Sequence, residues 1–171
     1  MSLLTILAAV GACTPGEDEV ARESPVAAEE LIDRFVAFAH DREPEDLAAL
    51  PLADQVQLGL GQTIHATRSS AQLSEPDGWI LDTPDFRAYT GPLSALDLVT
   101  NWSGTTVTTI GEHPHCASPP VPPPLGLEGL RRVSVQPNPD EFDTCLRWWT
   151  VDFFLNDHGR VVAVTLDVWE P

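Results

Sequence analysis

Two periodicities divide this chain. Over residues 26–39, Ala28, Leu31, Ile32, Phe35, Val36, Phe38 and Ala39 recur at three- and four-residue spacing, which is the period of one helix face. Ser24 stands at the position of an N-cap and Pro25 suits the first helical residue, so the pattern predicts an amphipathic helix ending near His40. Glu43 to Leu50 predicts a short second helix with Pro44 in its first turn, broken by Pro51. From Asp54 onward the period changes, and Val56, Leu58 and Leu60, followed by Ile64, alternate as a strand does. Ser69 to Leu73 predicts a brief helical turn, Trp79 to Leu81 a short extended piece and Asp82 to Tyr89 a further turn of helix.

The second half predicts strands. Thr105 to Ile110 is dense in β-branched residues, Leu130 to Val135 alternates, and Thr144 to Leu155 is long enough for a central strand. Asn156-Asp157-His158-Gly159 supplies turn chemistry before Arg160 to Trp169, which predicts a long closing hairpin. The prolines between Pro114 and Pro124 exclude helix interior and central strand, so this segment is expected as an extended surface loop. Gly59-Leu60-Gly61 and Gly91-Pro92 read as turns or bulges, since no phosphate-binding signature surrounds them.

Composition limits the possible partners. The chain has 171 residues, 43% hydrophobic and 20% charged, which suits one domain with an appendage. Nine basic residues, all arginine, stand against 26 acidic ones, giving a net charge of -17 that repels phosphate backbones and anionic headgroups. Nucleic acid is therefore excluded as an expected partner.

Residues 2 to 12 form an uncharged apolar run with the length of a signal-peptide core, too short for a permanent transmembrane helix. Its end, Val10-Gly11-Ala12-Cys13, resembles the lipobox of bacterial lipoproteins. The resemblance implies a signal peptide over residues 1–12, acylation of Cys13 and anchoring on the extracytoplasmic face of the cell membrane. A core strand or helix is the plainer alternative for the same run. Residues 13–25 are acidic and lack hydrophobic periodicity, the composition of a disordered tether. In an exported protein, lipidation of Cys13 would leave Cys116 and Cys145 to form a disulfide worth about 3 to 4 kcal/mol, the alternative being two buried thiols.

Two helices ahead of a sheet over residues 26–171, with the closing run Trp149-Thr-Val-Asp-Phe-Phe-Leu-Asn-Asp-His-Gly-Arg-Val-Val-Ala-Val, resemble the NTF2-like or SnoaL-like superfamily. The resemblance implies a single α+β domain, an N-terminal pair of helices packed on a curved antiparallel sheet, with a cone pocket between helices and sheet. Catalytic members place an Asp and a His in that pocket. Neither position is matched here by motif, so no catalytic residue is carried over and no cofactor is implied.

Candidate chemistry is sparse. Trp148 and Trp149 are adjacent on a predicted strand and must face opposite sides, so one can enter the core while the other lines a pocket or an interface. Asp152 and Asp167 lie in apolar strands where a carboxylate could be desolvated; the plainer expectation is a solvated sheet face. His113 and His115, beside Cys116, are possible metal ligands without an apparent fourth partner, or loop-bracing side chains. Ser94 and Ser118 have no nucleophile motif around them, and Asn101-Trp102-Ser103 matches a glycosylation sequon.

Three functional expectations follow: a lipid-anchored binding or envelope-accessory domain with a protein partner; a binder of a small apolar ligand, or an enzyme, using a cone pocket; and a metal-binding lipoprotein.

Overall fold

The computed structural model describes residues 25–82, 93–111, 116, 121–141, 145 and 147–168. Helix α1 spans Pro25–Asp41 and α2 Pro44–Ala48. Strands β1 (Leu52–Leu60) and β2 (Thr63–Ser69) lead into a one-turn helix, α3 (Ser70–Leu73). A 3-10 turn at Pro76–Trp79 precedes β3 (Ile80–Leu81), which pairs with β4 (Leu93–Ser94), and α4 (Ala95–Thr100) follows at once. Strands β5 (Thr106–Ile110), β6 (Arg131–Pro137), β7 (Trp149–Leu155) and β8 (Val161–Val168) complete the domain.

Six strands form one sheet in the order β2-β1-β8-β7-β6-β5. Every neighbouring pair is antiparallel except β1 and β8, which run parallel. The α+β class with helices ahead of a mainly antiparallel sheet agrees with the sequence reading. Among the described residues, no helix is long and apolar enough to cross a membrane.

The closing hairpin forms where its turn chemistry placed it. Asn156 carries the turn, its Oδ1 accepting the N–H groups of His158 and Arg160 at 3.0 Å each, while Gly159 takes a positive φ of 70°. Strand β7 begins at Trp149, five residues after the expected start. Arg147 takes φ 72° and the Trp148 N–H bonds the Cys145 carbonyl at 3.1 Å, a turn geometry that interrupts extended chain. Cys116 and Cys145 are joined by a disulfide with Cα atoms 5.4 Å apart, the pairing expected from the cysteine count.

Helix α1 contributes Ala28, Leu31, Ile32, Phe35, Phe38 and Ala39 to the main core. Phe35 is wholly buried, with its ring edge-on to Phe153 at 4.8 Å and tilted against Trp79 at 5.4 Å. Leu31, Ile32 and Phe38 share this buried face, while Glu29 and Glu30 are exposed, as the helical period required. Helix α1 stops because Arg42 adopts a left-handed φ of 60° and gives its N–H to the Phe38 carbonyl at 2.9 Å. Thr100 Oγ1 lies 2.8 Å from the carbonyls of both Ala39 and Leu96, tying the end of α1 to α4.

Other local readings fare differently. The brief helical turn expected over Ser69 to Leu73 forms, and Ser69 caps it in a reciprocal capping box with Gln72. Gly59 sits at a β-bulge and Gly61 in the β1–β2 turn at φ 54°, the plain roles expected of that glycine pair. Trp79 closes a 3-10 turn instead of opening an extended piece. Helix α4 has no counterpart in the sequence reading, since six residues are too few to display a helical period. The expected helical turn at Asp82 to Tyr89, the cap at Ser24, the signal and tether segments and Gly91-Pro92 fall at or beyond the limits of the described residues.

Candidate ligand-binding site

Under α1 the Phe35 ring packs directly on Phe153 and Trp79. Beside Trp79, between β1, β8, β3 and α4, a cavity lined by Leu58, Trp79, Leu81, Ala95, Val164 and Leu166 measures about 10 Å³, room for at most one water.

An open pocket of about 320 Å³ lies instead beside α4, at the start of β7. Leu93, Ser94, Asp97, Leu98 and Asn101, from α4 and the residues around it, line it together with Trp102, Arg147 and Trp149. The wall on α4 is set by local chemistry: Ser94 Oγ accepts the Leu96 N–H at 3.3 Å, starting a helix that places Asp97, Leu98 and Asn101 three and four residues apart on one side. Asp97 is reached by Arg42 from the end of α1, with Nη2 3.4 Å from Oδ1.

Trp102 is held from behind. Its Nε1 donates to the Thr105 carbonyl at 3.0 Å, and the Thr105 N–H and hydroxyl both donate to the Glu141 carboxylate. Gly104 completes this clamp, because a Cβ there would stand 1.9 Å from Glu141 Oε2 and 2.8 Å from the Trp102 ring. The indole therefore offers the pocket its ring carbons, with its donor already committed. Trp149 is 4% exposed and belongs to the main core, so its pocket edge is supported on every other side.

The sheet separates the candidate residues named from the sequence. Trp149 faces α1 and lines the pocket, whereas Asp152 and Asp167 occupy the opposite face with Thr150 and Thr165. Trp148 is buried just before β7 but does not line the pocket. A single pocket built from Trp148, Trp149, Asp152 and Asp167 is thus not formed.

The solvated face expected around Asp152 is also corrected, because this aspartate is only 2% exposed and accepts a hydrogen bond from Ser134 Oγ at 2.5 Å. Asp167 is half-buried. Around Asp152 the outer face holds buried Ser134, Gln136, Thr150 and Thr165, and Arg132 stacks over the Phe154 ring at 5.0 Å. Leu127, Phe154 and Ala163 form a small second cluster there, with Leu130 and Ile64 against it.

His113, His115 and Cys13 lie outside the described residues, and among the described residues no group of three His, Cys, Asp or Glu side chains gathers as a metal site would.

No family model, curated protein or solved structure matches this chain. Its chemistry therefore has to be read from its own side chains.

Most of the pocket was not selected from the sequence. Ser94 was considered only as a nucleophile and Asn101-Trp102 only as part of a sequon. The available signal was Ser94-Ala-Leu-Asp97, whose spacing is that of a helix start ahead of apolar residues. Arg147 carries no sequence signature at all, since its place depends on the turn between Cys145 and Trp148.

Proposed function

We propose that this chain is a lipid-anchored, extracytoplasmic domain of NTF2-like build that binds a ligand instead of transforming one. The observation that carries the binding half is the distribution of space. Under α1 the rings of Phe35, Trp79 and Phe153 pack on one another, while an open concavity among the described residues lies beside α4, lined by Trp102 and Trp149 among others. Its size falls at the lower end of the roughly 300–1,000 Å³ common for small-molecule sites, and its leucine and tryptophan walls with a few polar groups suit a ligand with an apolar body.

The anchoring half rests on Val10-Gly11-Ala12-Cys13 after an apolar run, and on a net charge of -17 that would not by itself hold the domain to anionic lipid. Two or more acyl chains on Cys13 give durable attachment where one gives marginal binding. Expression of the full chain in a bacterium with lipoprotein processing tests this half: the protein is expected in the membrane fraction and Cys13→Ser outside it. Wholly cytosolic recovery of the unaltered chain would refute anchoring.

The binding half is tested by thermal shift of the full chain against indole, small aliphatic acids and amino acids, compared with Asn101→Trp, which places a bulky ring at the exposed rim of the pocket. A stabilisation seen in the native chain and lost in the variant supports the site. Equal stabilisation of both removes the pocket from the reading.

A further inference from the structure

Arg147 is the cation that lines this pocket. Neighbouring Arg42 is paired with Asp97, whereas in a chain with 26 acidic residues Arg147 has no ion-pair partner among the described residues. Its backbone is fixed in a left-handed conformation at φ 72°, between a disulfide-bonded Cys145 and the buried Trp148. A non-glycine residue rarely adopts that conformation, so the surrounding structure holds it there against its own preference. An exposed guanidinium set in this way on a pocket wall presents a planar fork to a carboxylate.

A simple anion would meet the repulsion of the whole molecule, whose net charge is -17. A molecule carrying one positive and one negative group does not, and Asp97, which lines the same pocket, supplies the complement. Asp97 has a side chain 59% exposed, and its recorded contact with Arg42 engages Oδ1 alone. Leu93, Leu98, Trp102 and Trp149 then offer apolar and aromatic surface beyond the two charges.

We propose that this pocket takes a small zwitterion with an apolar side chain, of the free α-amino-acid kind, its carboxylate on Arg147 and its ammonium on Asp97. The inference rests on the pocket-binding reading above and adds the class of ligand. Arg147 and Asp97 set which charges are accepted; the tryptophans and leucines set the preference for an apolar side chain.

The experiment is calorimetric titration of the full chain with L-phenylalanine and L-leucine, beside L-phenylalaninamide, N-acetyl-L-phenylalanine and N-acetyl-L-phenylalaninamide, with indole fluorescence as a second readout. Each blocked terminus is expected to weaken binding about tenfold or more, the scale of one charge-assisted hydrogen bond. In Arg147→Gln the difference between phenylalanine and its amide should vanish, and in Asp97→Asn the difference between phenylalanine and its N-acetyl form. Should either variant fail to fold, the comparison of ligands on the native chain still decides. If the doubly blocked compound binds as tightly as phenylalanine, the zwitterion inference is overturned while the pocket reading stands. If no compound in the set binds and the thermal-shift screen is also silent, both readings fall.

Discussion

On β7, Val151 and Phe153 lie against α1, while Thr150 and Asp152, their immediate neighbours, lie on the other side of the same strand and are buried just as deeply. The inner face continues through Val133, Val135, Val164 and Leu166; the outer face through Ser134, Gln136 and Thr165. Hydrophobic burial stabilises the first face, at about 1.5 to 3 kcal/mol for each large side chain, and it is sensitive to lost volume. The second depends on pairing, since a buried polar atom without a partner costs about 1 to 3 kcal/mol. Such pairing is visible between strands, where Ser134 Oγ donates to Asp152 and Gln136 Nε2 to Thr109 Oγ1, in a row in which Thr109, Ser134, Asp152 and Thr165 stand in register. Equal burial therefore conceals two different sources of stability.

The largest expected effect strikes the inner face. Phe35→Ala removes the ring that packs on both Phe153 and Trp79, and should destabilise the domain by about 3 to 5 kcal/mol in urea unfolding. A loss below 1 kcal/mol would mean that α1 does not cover the sheet.

Next comes Ser134→Ala on the outer face. It removes little volume but takes one hydroxyl donor from Asp152, with an expected cost of about 0.5 to 1.5 kcal/mol, or up to about 3 for a bond to a charged group. Equilibrium unfolding of this variant beside Ser134→Thr, which keeps the hydroxyl, checks whether pairing is the cause. Equal losses in the two would erase the distinction between the faces.

Asn156→Ala probes the element that keeps the faces apart. A one-residue slip between β7 and β8 would turn Asp152 inward and Phe153 outward, and the two hydrogen bonds of Asn156 Oδ1 help define the register. The expected loss is about 1 to 2 kcal/mol, with the sheet register, read from amide nuclear Overhauser contacts, unchanged. Glu29→Ala, on the exposed side of α1, should lie within about 0.5 kcal/mol of the native chain and provides the scale against which the others are read.

The elements governed by neighbours in the chain were legible beforehand. The Leu31, Phe35 and Phe38 face of α1, the Asn156 to Gly159 turn and the alternation of β7 follow from spacing and turn chemistry alone. Grouping Trp148, Trp149, Asp152 and Asp167 as one possible pocket overlooks that alternation along β7 sends Trp149 and Asp152 to opposite faces. Alternation could not predict that both sides would be covered, because a polar strand face looks the same in sequence whether water or protein lies over it. Helix α4 was missed for a different reason: six residues hold less than two turns of period, and the capping Ser94 is recognisable only once the helix after it is known.

By its own pattern, then, the chain determined an α+β order of elements, the helix face that enters the core, the closing hairpin and the pairing open to Cys116 and Cys145. These depend on contacts or capacities local to each segment. Tertiary structure alone decided that Phe35 packs on Phe153 and Trp79, that the outer face around Asp152 is buried, and that Asp97 and Arg147 line one pocket. Those properties belong to segments about fifty residues apart, with Asp97 positioned by the α4 cap and Arg147 by the turn after Cys145, and no periodicity along a chain encodes the distance between two such turns.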